Sequence, residues 1–256
     1  MTTGLLRLRR VLAFLLVIAA PACFGNSDPP VRVLFVGNSY THVNDLPGMV
    51  RSLAASADMR VEVGMRAPGG WWWRDHAASE ETTDAIAGGD WDFVVLQEQS
   101  MAPADRDLAR RASYPAAELL SRTVVGNGGQ VVLFLTWGHR NGSPELGHST
   151  YSAMQVDLAD SYLAFADSLL AEVAPVGMAW WMSLAERREI DLYQADGSHP
   201  SLAGSYLAAA VIAAVILDVD PTSFVAPLGL DEGNAATLRG FAARAVSGEV
   251  PWDDRR

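Results

Sequence analysis

Val33-Leu34-Phe35-Val36-Gly37-Asn38-Ser39-Tyr40-Thr41 decides how this chain is read. Four apolar residues, two of them β-branched, run directly into a glycine. A short apolar run bounded by a turn residue is the pattern of a strand buried on both faces. Gly37 lets the backbone turn sharply, so Ser39 stands just where the strand should end. In a doubly wound sheet, ligands bind outside the carboxyl ends of the strands. A serine there has its hydroxyl at the crevice and backbone amides beside it. By itself, Gly-x-Ser also suits a serine that merely caps a strand-to-helix turn.

Outward from that stretch the chain alternates. Apolar runs at 60–65, 93–97, 130–136 and 176–180 read, with 31–36, as five strands. Helical spacing covers 46–57, 75–87, 105–125 and 150–173. In the last of these, Met154, Leu158, Tyr162, Phe165, Leu169 and Val173 share one stripe at intervals of three and four. Strands alternating with helices predict an α/β fold, a parallel sheet sandwiched by helices. Gly88-Gly89 and Gly126-Asn127-Gly128-Gly129 mark returns from helix to strand. The run 206–217 is apolar on all sides and, at that length, reads as a buried helix rather than a membrane span. A final helix covers about 232–246. No internal repeat is visible, and 31–250 reads as one domain, a size suited to a single core.

Near the other end stands Asp196-Gly197-Ser198-His199-Pro200. Pro200 suits the first position of a helix, which would pin His199 just before the apolar run at 206–217. Asp196, three residues back across Gly197, can turn toward the imidazole. It would hold the tautomer that presents the other ring nitrogen to Ser39. The plainer reading is an Asp-Gly turn beside a solvated histidine. Both motifs at opposite ends of one α/β chain supply a nucleophile, a carboxylate and a base, and so point to a serine hydrolase.

The 256 residues carry 19 basic and 30 acidic side chains, a formal net charge of −11, and every basic one is arginine. That balance argues against nucleic acid as the main partner, because phosphate binding relies on clustered positive charge. Arg7, Arg9 and Arg10, the apolar run 11–20 and Pro21-Ala22-Cys23 read as an export signal over 1–22, too short to span a membrane. A polar tether, 23–30, follows, so the expected location is extracytoplasmic. Cys23, the sole cysteine, resembles the acylated residue of a bacterial lipoprotein box. A lipid anchor to the membrane is then expected, although Ala20-Pro21-Ala22 also suits plain secretion.

These motifs resemble the SGNH, or GDSL-like, hydrolase superfamily, from Val33 to about Leu217. Gly37-Asn38-Ser39 matches its first block, with Asn38 where aspartate is common. Asp196-x-x-His199-Pro200 matches its last block. The resemblance implies a flavodoxin-like three-layer α/β/α sandwich with a five-stranded parallel sheet, and a triad of Ser39, Asp196 and His199. It also implies an oxyanion hole made by the Ser39 amide, a second-block glycine amide and a third-block asparagine side chain. The glycine maps to Gly70, with Gly69 as the alternative. The third block has no asparagine. In Leu96-Gln97-Glu98-Gln99-Ser100, Gln97 is expected to take the role, with Gln99 as the alternative, since glutamine offers the same two donor hydrogens on a longer arm.

Trp71, Trp72 and Trp73, and Trp137 in Thr136-Trp137-Gly138-His139, fall on the predicted carboxyl rim. Trp72 and Trp137 are candidates for a platform under a sugar or acyl group, and at least one of Trp71–Trp73 is expected in the core. His76, His139 and His148 lack metal-ligand spacing, and neither a metal nor a cofactor is implied. The expected activity is a serine esterase that removes O-acyl groups, O-acetyl above all, from extracellular carbohydrate. A lipolytic esterase of the same mechanism and a catalytically silent glycan-binding module are the alternatives.

Overall fold

Val33, Leu34, Phe35 and Val36 are buried in the second half of β1 (Val31–Val36). They are apolar on both faces because the strand has sheet neighbours on each side and helices above and below. β2 (Val61–Arg66) pairs along its whole length, and β3 (Phe93–Leu96) pairs with Val33–Val36, both parallel. β4 (Gln130–Phe134) and β5 (Glu172–Ala174) complete an all-parallel sheet in the order β2-β1-β3-β4-β5. The computed structural model describes residues 29–249, so the expected signal, most of the tether and Cys23 lie outside the described residues.

The strand order positions the site. The chain goes outward from β1 to β2, then crosses back past β1 to β3. A crevice opens at the carboxyl ends wherever the order reverses in this way, here between β1 and β3. Val36 pairs with Leu96, so Gly37 and Gln97 leave the sheet side by side.

α1 (Ser39–His42) and α2 (Leu46–Ser56) follow β1, and α3 (Trp73–Ala77) and α4 (Glu80–Ala87) follow β2. After β3, α5 (Arg106–Leu108) runs through a π turn into α6 (Tyr114–Gly126), and α7 (Tyr151–Leu169) follows β4. α8 (Val176–Glu186), α9 (Leu202–Leu217) and α10 (Glu232–Val246) come after β5. α9 packs on α2, α8 and α10, while α6 packs on α3, α4 and α7. α9 is apolar all round because neighbours cover it on every side, leaving Ala208 to Ala213 with no exposed surface. Among the described residues no helix is long and apolar enough to cross a membrane.

Three expectations need correction. The fifth strand is Glu172–Ala174, and Val176–Glu186, which begins with the run read as a strand, is a helix. Apolar residues on every side do not distinguish a buried helix from a buried strand. The true edge strand has three residues and an exposed Glu172 at its start, so it lacks the apolar signature. Glu172 and Val173 fall at the end of the helix expected over 150–173, but Leu170 turns left-handed at φ 53 and stops α7. The helix expected over 75–87 is two, because the Ser79 side chain accepts from Thr82 N at 3.3 Å and caps a new start. Pro200 precedes the helix rather than opening it: Ser201 is the cap, its hydroxyl accepting from Gly204 N at 3.1 Å.

Candidate active site

The turn after β1 is fixed from three sides. Asn38 caps α1, its Oδ1 accepting from Tyr40 N at 3.1 Å, and its Nδ2 donates to Trp71 O at 2.9 Å. Its own N–H donates to Gln97 Oε1 at 2.8 Å. Gly37 is required by space: a methyl group there would overlap Thr41 Oγ1 and Gln97 Oε1. Beneath the turn, buried His76 donates from Nε2 to Gly37 O at 2.7 Å and accepts at Nδ1 from the Thr82 hydroxyl at 3.1 Å. Burial lowers the His76 pKa, favouring the neutral ring that this arrangement needs.

Ser39 thus sits at the first helical position, where its N–H has no intrahelical partner. Its Oγ lies 2.9 Å from His199 Nε2, and His199 Nδ1 lies 2.6 Å from Asp196 Oδ2. The other carboxylate oxygen accepts from Ser198 N at 2.9 Å and His199 N at 3.0 Å. The Ser198 amide and then the His199 ring favour the ionised carboxylate, pulling the Asp196 pKa down to about 2. An anionic Asp196 accepts a hydrogen bond from Nδ1–H, which fixes the tautomer and leaves Nε2 as an acceptor for the serine hydroxyl. A serine hydroxyl bonded to a free ring nitrogen can act as a nucleophile.

The candidate donors for a developing oxyanion lie on two further loops. Gly70 stands at φ +76, in a turn closed by Trp71 N donating to Pro68 O at 3.3 Å. That left-handed conformation favours glycine, and the space above it is open. Gly69 and Gly70 both line a cavity of about 430 Å³ with Ser39, Gln99, Ser100, Ser198 and His199. Gln97 does not reach it. Its Oε1 is held by Asn38 N and by the Thr41 hydroxyl at 2.9 Å, and its Nε2 donates to Glu98 O. With both ends of its buried amide engaged behind the turn, Gln97 is no oxyanion donor. Gln99 is the residue on the crevice. Its Oε1 accepts from Met101 N at 2.8 Å and Ala102 N at 3.0 Å, which fixes the amide's orientation. Its Nε2 is left with a single long contact, 3.4 Å to Ser100 Oγ.

The same architecture recurs in solved structures. A protein from Slackia heliotrinireducens, described there as an SGNH hydrolase, is 32% identical over 73% of this chain and 100% of its own, with a TM-score of 0.59. This chain belongs to the SGNH hydrolase superfamily. A DUF4886 family protein from Bacteroides uniformis superposes with a TM-score of 0.75 at 17% identity, covering 86% of this chain and 96% of that one. A variant of an acetyl-xylooligosaccharide esterase from Geobacillus has the same fold, with a TM-score of 0.52 at 17% identity over 73% and 92% of the two chains. No family model matches the chain, and no curated protein does.

In this SGNH hydrolase the tryptophans are not where a platform needs them. Trp137 is fully buried, sandwiched between Tyr40 (4.6 Å between ring centres) and Trp180 (3.9 Å). Its Nε1 donates to Ser198 O at 3.0 Å. Trp137 therefore braces the floor behind the site, because a ring stacked on both faces has none left for a ligand. Trp72 is outside the crevice lining and carries the Arg74 guanidinium 4.2 Å above its ring. Trp73 is core, edge-on to Tyr162 and Phe165. Four crevice residues carried no sequence signal: Tyr40, His42, Ser100 and Ser198. Tyr40 Oη and Ser198 Oγ are 2.7 Å apart, and His139 Nε2 lies 3.2 Å from Ser100 Oγ. Burial raises the Tyr40 pKa to about 12, so it stays a neutral hydroxyl beside the base.

Proposed function

We propose that this chain is an exported serine esterase that removes O-acyl groups, O-acetyl above all, from carbohydrate. The observation that carries the reading is His199, within hydrogen-bond distance of Ser39 on one ring nitrogen and Asp196 on the other. Ser39 Oγ attacks the ester carbonyl while His199 Nε2 takes its proton. The Ser39 and Gly70 amides and Gln99 Nε2 receive the oxyanion. His199 then protonates the leaving alcohol, and water repeats the sequence on the acyl-enzyme.

The crevice favours a short, polar acyl ester. Ser100 and Ser198 put hydroxyls on its wall, and Tyr40, stacked on Trp137, belongs to its lining. Neighbours of the same fold include an acetyl-xylooligosaccharide esterase and an acetyl xylan esterase, which supports a sugar ester by analogy. Export rests on Arg7, Arg9 and Arg10 ahead of the apolar run, and Cys23 is the proposed point of lipid anchoring.

The test uses purified protein on acetylated xylo-oligosaccharides and on p-nitrophenyl esters of increasing chain length. Expected are acetate release from the oligosaccharide and a steep fall in kcat/KM beyond short acyl chains. Ser39→Ala should lower kcat by at least about a thousandfold with the fold intact. A preference for long chains would make the enzyme lipolytic. Sugar binding without turnover, equal in Ser39→Ala, would make it a binding module.

A further inference from the structure

Glu98 is a carboxylate with no exposed surface, between Gln97 and Gln99 at the end of β3. It is not part of the crevice lining, and among the described residues no ion pair reaches it. A buried acid without a cation is costly unless its oxygens are used. Oε1 is used twice, accepting from Trp73 N at 2.9 Å and from Gln99 N at 2.7 Å. Those two amides belong to the two loops that supply oxyanion donors. Trp73 is three residues beyond Gly70, and Gln99 carries the side-chain amide.

The sheet does not link these loops. β2 and β3 lie on opposite sides of β1, so no ladder bond runs between them. Asn38 ties the first loop to the second through Trp71 O, and Gln97 ties the first to the third through Asn38 N. Glu98 closes the triangle. We propose that Glu98 is a positioning residue that fixes the Gly70 loop and Gln99 relative to each other and so sets the geometry of the oxyanion hole. The proposal rests on the esterase reading above. Burial raises the Glu98 pKa, favouring the neutral acid, whose carbonyl oxygen accepts the same two N–H groups. Glutamine reproduces that oxygen.

Three variants test this: Glu98→Gln keeps the acceptor, Glu98→Asp withdraws it by one methylene, and Glu98→Ala removes it. They are assayed by steady-state hydrolysis of p-nitrophenyl acetate and by amide hydrogen exchange in the segments containing Trp73 and Gln99. Glu98→Gln should keep kcat within about threefold, while Asp and Ala lower it about tenfold or more with KM nearly unchanged. Exchange at both segments should quicken in Ala and not in Gln. In a Gln99→Ala background the loss caused by Glu98→Ala should shrink at least about threefold, because part of it acts through that amide. Unchanged kcat in folded Glu98→Ala, or fully additive losses, would overturn the proposal. If Glu98→Ala does not fold, equal kcat in the Gln and Asp variants overturns it. A wild-type protein without ester hydrolysis, or a fully active Ser39→Ala, would instead sink the esterase reading, and hydrogen exchange would still report on Glu98.

Discussion

Gln97 and Gln99 have the same side chain and opposite fates. A backbone N–H from Asn38 and a threonine hydroxyl hold the Gln97 carbonyl behind the turn, whereas the backbone of Met101 and Ala102 holds the Gln99 carbonyl and leaves its NH₂ at the crevice. Gln99→Ala should therefore lower kcat by about a hundredfold to a thousandfold with little change in KM, the usual cost of one oxyanion donor. Gln97→Ala should instead destabilise by about 1–3 kcal/mol, because it strands the buried Asn38 N–H, and chemical denaturation would register it. Asp196 should stay out of the acid limb of the pH profile. Hydrogen bonds to its charged form keep it ionised down to about pH 2, so its protonation adds nothing to the profile well above that. The acid limb of log kcat/KM above about pH 3 should therefore have a slope of one. A slope of two would mean that Asp196 loses its charge alongside the histidine.

At the scale of elements, the site depends on an aromatic stack that touches no substrate in the proposed mechanism. Trp137, just past β4, stacks between Tyr40 of α1 and Trp180 of α8 and hydrogen-bonds the loop that carries His199. It joins the nucleophile's helix to the base's loop. Trp137→Ala should cost about 3–5 kcal/mol by opening a cavity in a buried layer, measurable by urea denaturation. Activity should fall too, since Ser39 and His199 would lose their common brace. A fully stable variant with only KM raised would return Trp137 to the role of a ligand platform.

Across the whole molecule, pH acts on stability through buried groups. Burial lowers the His76 pKa from its ordinary 6.5. Below that value the unfolded chain takes up a proton that the folded one refuses, so stability falls as pH drops through about 6.5 toward the folded value. Glu98, raised by burial, pulls the other way, so the quantity to read is wild type against His76→Gln. The wild-type Tm should fall more steeply than the variant's between pH 7 and 5. Equal slopes would mean that His76 titrates alike in the folded and the unfolded chain. Much of this molecule was legible in its sequence. Strand β1, the turn to Ser39 and the pairing of Asp196 with His199 depend on residues within a few positions of one another, and local backbone geometry carries such patterns. The alternation of strands and helices marked the parallel sheet for the same reason. What the sequence left open depends on partners far along the chain. A strand and a helix are alike when both are apolar all round, so Val176–Glu186 was settled by its packing on α9 and α10. Two glutamines two residues apart were separated by an amide 59 positions away. Trp137 passed from rim to floor because α1 and α8 close over its two faces. Only folding brings those partners within bonding distance, and the choice among chemically equivalent side chains belongs to the tertiary structure.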